Sequence, residues 1–177
     1  MRMIRLAAFV TTGLLAQEFA PPKPTPHHLA LQRQVGTWDA VVKVFTAPGQ
    51  PPMVSKAVEV NTLVPGGLWL TSVFKSELMG TPFEGRGIFG FDPALGKHVG
   101  TWIDSTVMAL AHPMGTCKDG CKEVTLTFEG PDMTGKTVTY QNITVEQGPD
   151  RRVMTLHVKG PEGTFQPTME ITYTRRK

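Results

Sequence analysis

The segment HVGTWIDS, which begins at His98, places ionisable and aromatic side chains at alternate positions of one predicted strand. His98, Trp102 and Asp104 share one face, because side chains two residues apart on a strand point the same way. Both faces are mixed, so hydrophobicity alone does not select the inward one. If the Trp102 face points inward, Asp104 is a carboxylate inside the protein and needs a partner. Arg86, on the preceding strand, is the predicted partner across the ladder.

The chemistry predicted from this arrangement is recognition of a small molecule. An Arg86–Asp104 pair beside Trp102 would form a polar patch in an apolar pocket, with His98 near its mouth, and such convergence is typical of ligand sites. The alternative is that these charges face water and pair loosely, where they contribute little. The predicted ligand-binding residues are Trp69, Arg86, His98, Trp102, Asp104 and Tyr140.

An enzyme is the second hypothesis, because a buried Asp104 paired with His98 or Arg86 could transfer protons. Nucleophilic catalysis has no support, since Ser105 lacks a Gly-x-Ser-x-Gly elbow. We therefore predict no catalytic residue. A third hypothesis is a structural or interaction module whose interior is filled by side chains.

The segment EGRGIFGFD matches the spacing of a phosphate loop only formally. Gly85, Gly87 and Gly90 have the Gly-x-Gly-x-x-Gly spacing, but no helix follows them as that motif requires. Glycines inside a strand more often allow curvature or a close approach. A haem site would depend on His98 alone as the axial ligand. No cofactor is predicted.

The two cysteines, Cys117 and Cys121, bracket the turn sequence Lys-Asp-Gly. In an oxidising compartment they are predicted to form a small disulfide, and two free thiols are the alternative. A metal site needs more ligands than one Cys-x3-Cys pair, and His112 is the only nearby histidine in the sequence. No metal is predicted.

The N-terminus resembles a secretory leader. Arg2 and Arg5 precede an apolar run of eleven residues, 6–16, which is too short to span a bilayer and has the length of a signal-peptide core. A buried N-terminal helix or strand is the alternative. The predicted segments are a signal peptide (1–16), a proline-rich spacer (17–26) and one domain (27–177). The predicted location is the periplasm or the medium.

The charge balance argues against two classes of partner. Without residues 1–16, 16 basic residues face 15 acidic ones, so the net charge is about +1. The sequence has no basic stripe for nucleic acid and no second apolar run for a membrane. A small-molecule ligand is the predicted partner, and the sequence does not indicate an oligomeric state.

The elements that would position these residues are almost all strands. One short helix is predicted over residues 27–34, and many turn signals separate strand-like runs with apolar residues at every second position. The predicted strands are 38–45, 55–63, 68–76, 83–91, 97–110, 123–129, 137–146, 152–159 and 168–175. An antiparallel meander of about nine strands removes its exposed edges by closing into a barrel, and a β-sandwich is the alternative.

The segment around Gly36 and Trp38 resembles the start of calycin (lipocalin-like) barrels. There a short helix closes one end, the glycine turns the chain inward, and the tryptophan lies under a basic side chain of the last strand. Arg175 has the required register, because it shares a face with Ile171 and Tyr173.

A closer resemblance is carried by four motifs in order: HxxLxxxVGTW, PGGLWL, MGTPFEGRGIFGFD and KHVGTWIDS. They resemble the domain-of-unknown-function 1579 family, a calycin-like bacterial group, over about residues 28–176. The resemblance implies an antiparallel, up-and-down, all-β barrel with one short N-terminal helix, and it brings no catalytic residues. The fold-level analogy favours a non-catalytic protein that binds a small, partly apolar ligand in the barrel.

Overall fold

The computed structural model describes residues 20–177 apart from 48, 79 and 133. The predicted signal peptide lies outside the described residues. One helix, α1, spans Pro26–Gln32. The strands are β1 (Gly36–Val44), β2 (Met53–Leu63), β3 (Trp69–Leu78), β4 (Thr81–Asp92), β5 (Lys97–Asp104), β6 (Val107–Ala111), β7 (Met114–Lys118), β8 (Glu123–Pro131), β9 (Thr137–Glu146), β10 (Arg151–Lys159) and β11 (Phe165–Arg175).

The strands form one closed antiparallel barrel. Each strand from β1 to β5 pairs with the next, β7 to β11 do the same, and pairing of β1 with β11 and of β5 with β7 closes the ring. β6 and β7 pair with successive parts of β5, so together they occupy one position in a ten-stranded barrel. The predicted all-β, up-and-down barrel is confirmed.

The strand predicted over residues 97–110 is in fact two strands separated by a turn. Asp104 Oδ1 accepts hydrogen bonds from the Thr106 backbone N–H (2.8 Å) and hydroxyl (2.6 Å), which bends the chain after β5. The prediction also missed β7. These two differences account for the ten positions around the barrel instead of about nine.

The helix α1 lies across one end of the barrel, against β3 and β4. Thr25 caps it: the Thr25 backbone N–H donates to His28 Nδ1 (3.1 Å), which closes a capping box, and Pro26 occupies the first turn. In the part of the chain that the structure describes, no helix has the length and apolar character needed to cross a membrane.

The buried core lies beside this closed end, on the inner faces of β1, β2, β3 and β11. Its buried members are Trp38, Ala40, Val42, Ala57, Phe74, Ile171 and Tyr173. Gly36 begins β1 with φ = 122°, and a Cβ there would lie 2.9 Å from Arg175 Nη1. Glycine is therefore required where the chain turns into the barrel.

Candidate functional site

The face of β5 that carries Trp102 points into the barrel. Trp102 is opposite Gly87 and Asp104 is opposite Gly85 in the β4–β5 register, and Trp102 packs against the buried core. A Cβ on Gly85 would lie 2.1 Å from Cζ2 of the Trp102 ring. The glycines of β4 therefore make room for the indole, which is a close approach of side chain and backbone.

Asp104 does not pair with Arg86, so that prediction is wrong. Arg86 is opposite Ile103 in the register and points outward, with 63% of its side chain exposed, where it pairs with Glu84. The Asp104 carboxylate instead accepts from Trp102 Nε1 (3.2 Å) and from Thr106. Arg86 does not line the barrel interior either, because it lies between Gly85 and Gly87, which face inward, and so points to the opposite side of β4.

The prediction that Trp69 lines the interior is also wrong, because Trp69 faces outward. It is opposite Gly90 on the outer face, where its ring covers that glycine, and it is 39% exposed. Tyr140, by contrast, shares the inward face with its cross-strand partner Phe128. Their rings stack at 5.2 Å, and the Tyr140 hydroxyl donates to the Pro131 carbonyl (3.1 Å).

The inward faces of β8, β9 and β10 are only half-buried, although they point into the barrel. Register fixes this orientation, because Met154 is opposite the buried core residue Ile171 on one side and Thr144 on the other. The half-buried inward side chains are Leu126, Phe128, Tyr140, Asn142, Thr144, Met154 and Leu156. These inward side chains are therefore partly accessible to solvent, whereas the inward residues Ala40, Ala57 and Phe74 of β1, β2 and β3 are buried.

Two grooves lie outside the barrel. One, of about 590 Å³, crosses the outer face of β1, β2 and β11 and is lined by residues such as Asp39, Val41 and Lys56. The other, of about 560 Å³, lies at the closed end between Arg33, Asp119 and Glu146. Neither groove is lined by a predicted ligand-binding residue, but the second also contacts Trp38, Arg152 and Arg175.

The closed end is held by two arginines around one indole. Trp38 is 2% exposed, with the Arg175 guanidinium 4.1 Å from its ring and that of Arg152 4.3 Å away. The contact expected between Trp38 and Arg175 is thus present. Arg152 also lies 4.2 Å from the Tyr173 ring and forms a buried ion pair with Glu59. Burial, with the nearby Glu59 carboxylate, raises the pKa of Tyr173 well above its ordinary value.

His98 lies at the closed end and not near the mouth of the barrel, which corrects its predicted position. It is 4% exposed, and its Nε2 is 3.3 Å from Nδ1 of His27 on α1. Burial, together with the neighbouring His27 and His28, lowers the pKa of His98 to about 4. The imidazole is therefore neutral at neutral pH.

The sulfur atoms of the two cysteines contact ring nitrogens of His27 and His98. Cys117 and Cys121 form a disulfide, and His27 Nδ1 lies 3.5 Å from the first sulfur and 3.4 Å from the second. Cys121 Sγ is also 3.6 Å from His98 Nε2. This group of His27, His98, Cys117 and Cys121 is called the His/Cys cluster below.

The sequence matches one family model over residues 23–175, and that family is described as "Protein of unknown function (DUF1579)". The match covers most of the chain and all eleven strands. The chain belongs to this family. The predicted family is thus confirmed. No curated protein matches the sequence of this DUF1579 member.

Solved structures share the barrel fold of this DUF1579 member at low sequence identity. Rv2717c from M. tuberculosis has a TM-score of 0.62 at 16% identity, and the match covers 86% of this chain and 99% of that one. The S-type phycobiliprotein lyase CPES from Guillardia theta has a TM-score of 0.54 at 13% identity, covering 87% and 99%. These similarities show that the barrel fold is shared.

Sequence reasoning missed the partners that matter most in this DUF1579 barrel. His27 is absent from the predicted sites because it lies 90 residues before Cys117 in the sequence. Arg152 is in phase with the apolar inward row of β10, and a charged residue in phase with such a row is the signal that could have identified it. Glu59 has no such signal, because the inward row of β2 is mixed and the valines of that strand face outward.

Proposed function

We propose that this protein is exported and binds a small, partly apolar molecule in the open part of its barrel, without catalysing a reaction. The observation that carries the proposal is the half-burial of inward side chains on β8, β9 and β10. The opposite wall of the barrel is packed around Trp38, so the free space is confined to one side of the interior.

The lining of this space defines the chemistry of the ligand. Phe128, Leu126 and Met154 offer apolar surface for a hydrophobic body. Thr144 Oγ1 donates to Asn142 Oδ1 (3.1 Å), which leaves the amide nitrogen of Asn142 to donate to a ligand. A ligand with an apolar body and one hydrogen-bond acceptor fits this wall, and such a mixture is typical of ligand pockets.

The geometry favours binding over catalysis because Asp104 already has local partners. Its two carboxylate oxygens accept three hydrogen bonds, from Trp102 Nε1 and from the backbone and hydroxyl of Thr106. These bonds hold the indole and the turn after β5. We assign Asp104 and Trp102 to positioning the edge of the pocket.

Native mass spectrometry of the protein purified from its own host tests binding and export together. Export predicts a chain that lacks residues 1–16, and binding predicts an additional mass that is lost when the protein is denatured. A full-length chain found only in the cytoplasm would contradict export. A single apo mass from every compartment, combined with no uptake of the probe described next, would contradict the binding proposal.

Filling the open space is expected to prevent binding of an amphipathic probe. We expect Asn142→Trp to weaken the affinity for 1-anilinonaphthalene-8-sulfonate at least about tenfold, which corresponds to about 1.4 kcal/mol. The reason is steric, because residue 142 points inward between Leu126 and Leu156. A fluorescence titration measures the change.

The matched control is Gln141→Trp, which places the same indole one residue earlier on the outer face. Gln141 is opposite Thr127, which is exposed. Its affinity for the probe should stay within about twofold of the unaltered protein, a difference too small to reflect a lost site. Equal effects of the two variants would show that the probe binds outside the barrel.

A further inference from the structure

We propose that the His/Cys cluster is a zinc site once the disulfide is reduced, with His27 Nδ1, His98 Nε2 and the two cysteine thiolates as ligands. This metal would fasten α1 to the barrel wall at the closed end. The proposal concerns a different part of the molecule from the open interior and does not depend on the proposed function. Two histidines and two thiolates form a complete ligand set for structural zinc.

Four of the six distances between the donor atoms match a tetrahedral site. With zinc–nitrogen bonds of about 2.0–2.1 Å and zinc–sulfur bonds of about 2.3 Å, a tetrahedron has N–N edges of about 3.3 Å and N–S edges of about 3.5 Å. The nitrogens of His27 and His98 are 3.3 Å apart. Three N–S distances are 3.5, 3.4 and 3.6 Å, and all four donor atoms lie within 4.8 Å of one another.

The four ligands come from three separate parts of the fold, and each is held in place. Phe91 stacks on the His27 ring at 4.0 Å and contacts the edge of the His98 ring at 5.3 Å. The Arg33 guanidinium donates to the backbone carbonyls of Gly120 (3.1 Å) and Cys121 (3.0 Å). Arg33, the residue that follows α1, therefore binds the cysteine hairpin. Such surrounding contacts orient metal ligands.

The contacts among the four side chains of the His/Cys cluster contribute little to the stability of the fold. His27 is half-buried and His98 is buried, and both present a ring nitrogen to sulfur atoms, which are weak hydrogen-bond partners. Both sulfur atoms lie within 3.5 Å of His27 Nδ1, and Cys121 Sγ is also 3.6 Å from His98 Nε2. A metal uses all four donor atoms at once.

Conversion of the disulfide form to the zinc-bound form needs a reductant, and a dithiol supplies the electrons and protons. The dithiol supplies two electrons and two protons, the Cys117–Cys121 S–S bond breaks, and the dithiol becomes a disulfide. The sulfur atoms can then separate to the tetrahedral S–S distance of about 3.8 Å. Zinc binding forms two Zn–S bonds and releases the two thiol protons.

The test is a titration of the dithiol-reduced, desalted protein with zinc, followed by its displacement of Co²⁺. We expect one zinc per chain, and a cobalt form with thiolate charge-transfer and tetrahedral d–d absorption. The disulfide form should bind at least about 100-fold more weakly, and so should His27→Ala, because even partners outside the ligand shell contribute about 10–100-fold. His27 is preferred to His98 for the test because it is only half-buried.

His112→Ala is the matched control, since His112 is exposed and lies close to the cysteines in the sequence. It should bind zinc like the unaltered chain. Far-UV circular dichroism establishes that the barrel is folded, and if reduction unfolds it, added zinc must restore the spectrum. The proposal is overturned if the reduced protein binds no zinc, if His27→Ala binds as tightly as the unaltered chain, or if the oxidised form binds equally well.

Discussion

Replacing Arg152 with alanine is expected to lower the free energy of unfolding by about 3–5 kcal/mol, the usual cost of removing one partner of a buried ion pair. The Arg152 side chain is 5% exposed and that of Glu59 is 10% exposed. The substitution leaves the Glu59 carboxylate buried and charged, with the Asn61 amide (2.6 Å) as a neutral donor. It also removes the guanidinium that lies between Trp38 and Tyr173. Urea unfolding followed by tryptophan fluorescence measures the loss.

Two further variants separate charge burial from simple truncation. Arg86→Ala also removes an arginine that pairs with a glutamate, but that pair is on the outer face and exposed, so the urea midpoint should hardly move. The double variant Glu59→Gln with Arg152→Met removes both charges and keeps an amide beside Asn61. It should be more stable than Arg152→Ala, because no unpaired charge remains. The opposite order of stability would mean that lost packing, and not the buried charge, dominates.

The alternation of apolar residues made the barrel predictable. In β1 and β11 every second side chain is apolar, and these are the strands that carry Trp38 and the row ending at Arg175. The resemblance to calycin barrels implied a basic side chain over Trp38, and the face rule then selected Arg175, which the register places opposite Trp38. Local periodicity therefore predicted the strands, and the resemblance predicted the contact at the closed end.

The same rule failed where both faces of a strand are mixed. β4 carries inward glycines, which have no side chain to mark a face, so Arg86 could be assigned to the wrong one. Phe89 and Gly87 lie on the inward face with Trp102, whereas Arg86 is one residue out of phase. The sequence left the inward face of β5 open; Asp104 does lie on it, but its partners are the adjacent Trp102 and Thr106 and not a residue of the neighbouring strand.

Contacts distant in sequence carry no local signal at all. The His/Cys cluster joins residues separated by 71, 90 and 94 positions, and α1 must dock before His27 approaches the hairpin. In the sequence the histidine nearest to Cys117 is His112, which is exposed and lies outside the cluster. Only the closed barrel, which brings β5, β7 and the helix to one end, reveals the set.

Replacing Trp38 with alanine is expected to cost about 3–5 kcal/mol of stability while leaving binding at the open side of the barrel intact. Trp38 is 2% exposed, and its indole donates to the Gln34 carbonyl (2.9 Å), so the substitution leaves a cavity beside two guanidinium groups and removes one hydrogen bond to that carbonyl. Trp69→Ala is the matched control. Trp69 is 39% exposed on the outer face, so the same truncation there should cost less.

Measuring probe affinity as well as stability separates a role of Trp38 in folding from a role in binding. Below the unfolding transition, Trp38→Ala should bind 1-anilinonaphthalene-8-sulfonate within about twofold of the unaltered protein, because the closed end is distant along β1 from the open rim. Asn142→Trp should show the reverse pattern, with a large loss of probe affinity and a small change in the urea midpoint. If Trp38→Ala keeps a native far-UV spectrum but loses the probe, the closed end would be part of the binding site. The Gly36–Trp38 turn would then serve the ligand as well as the fold.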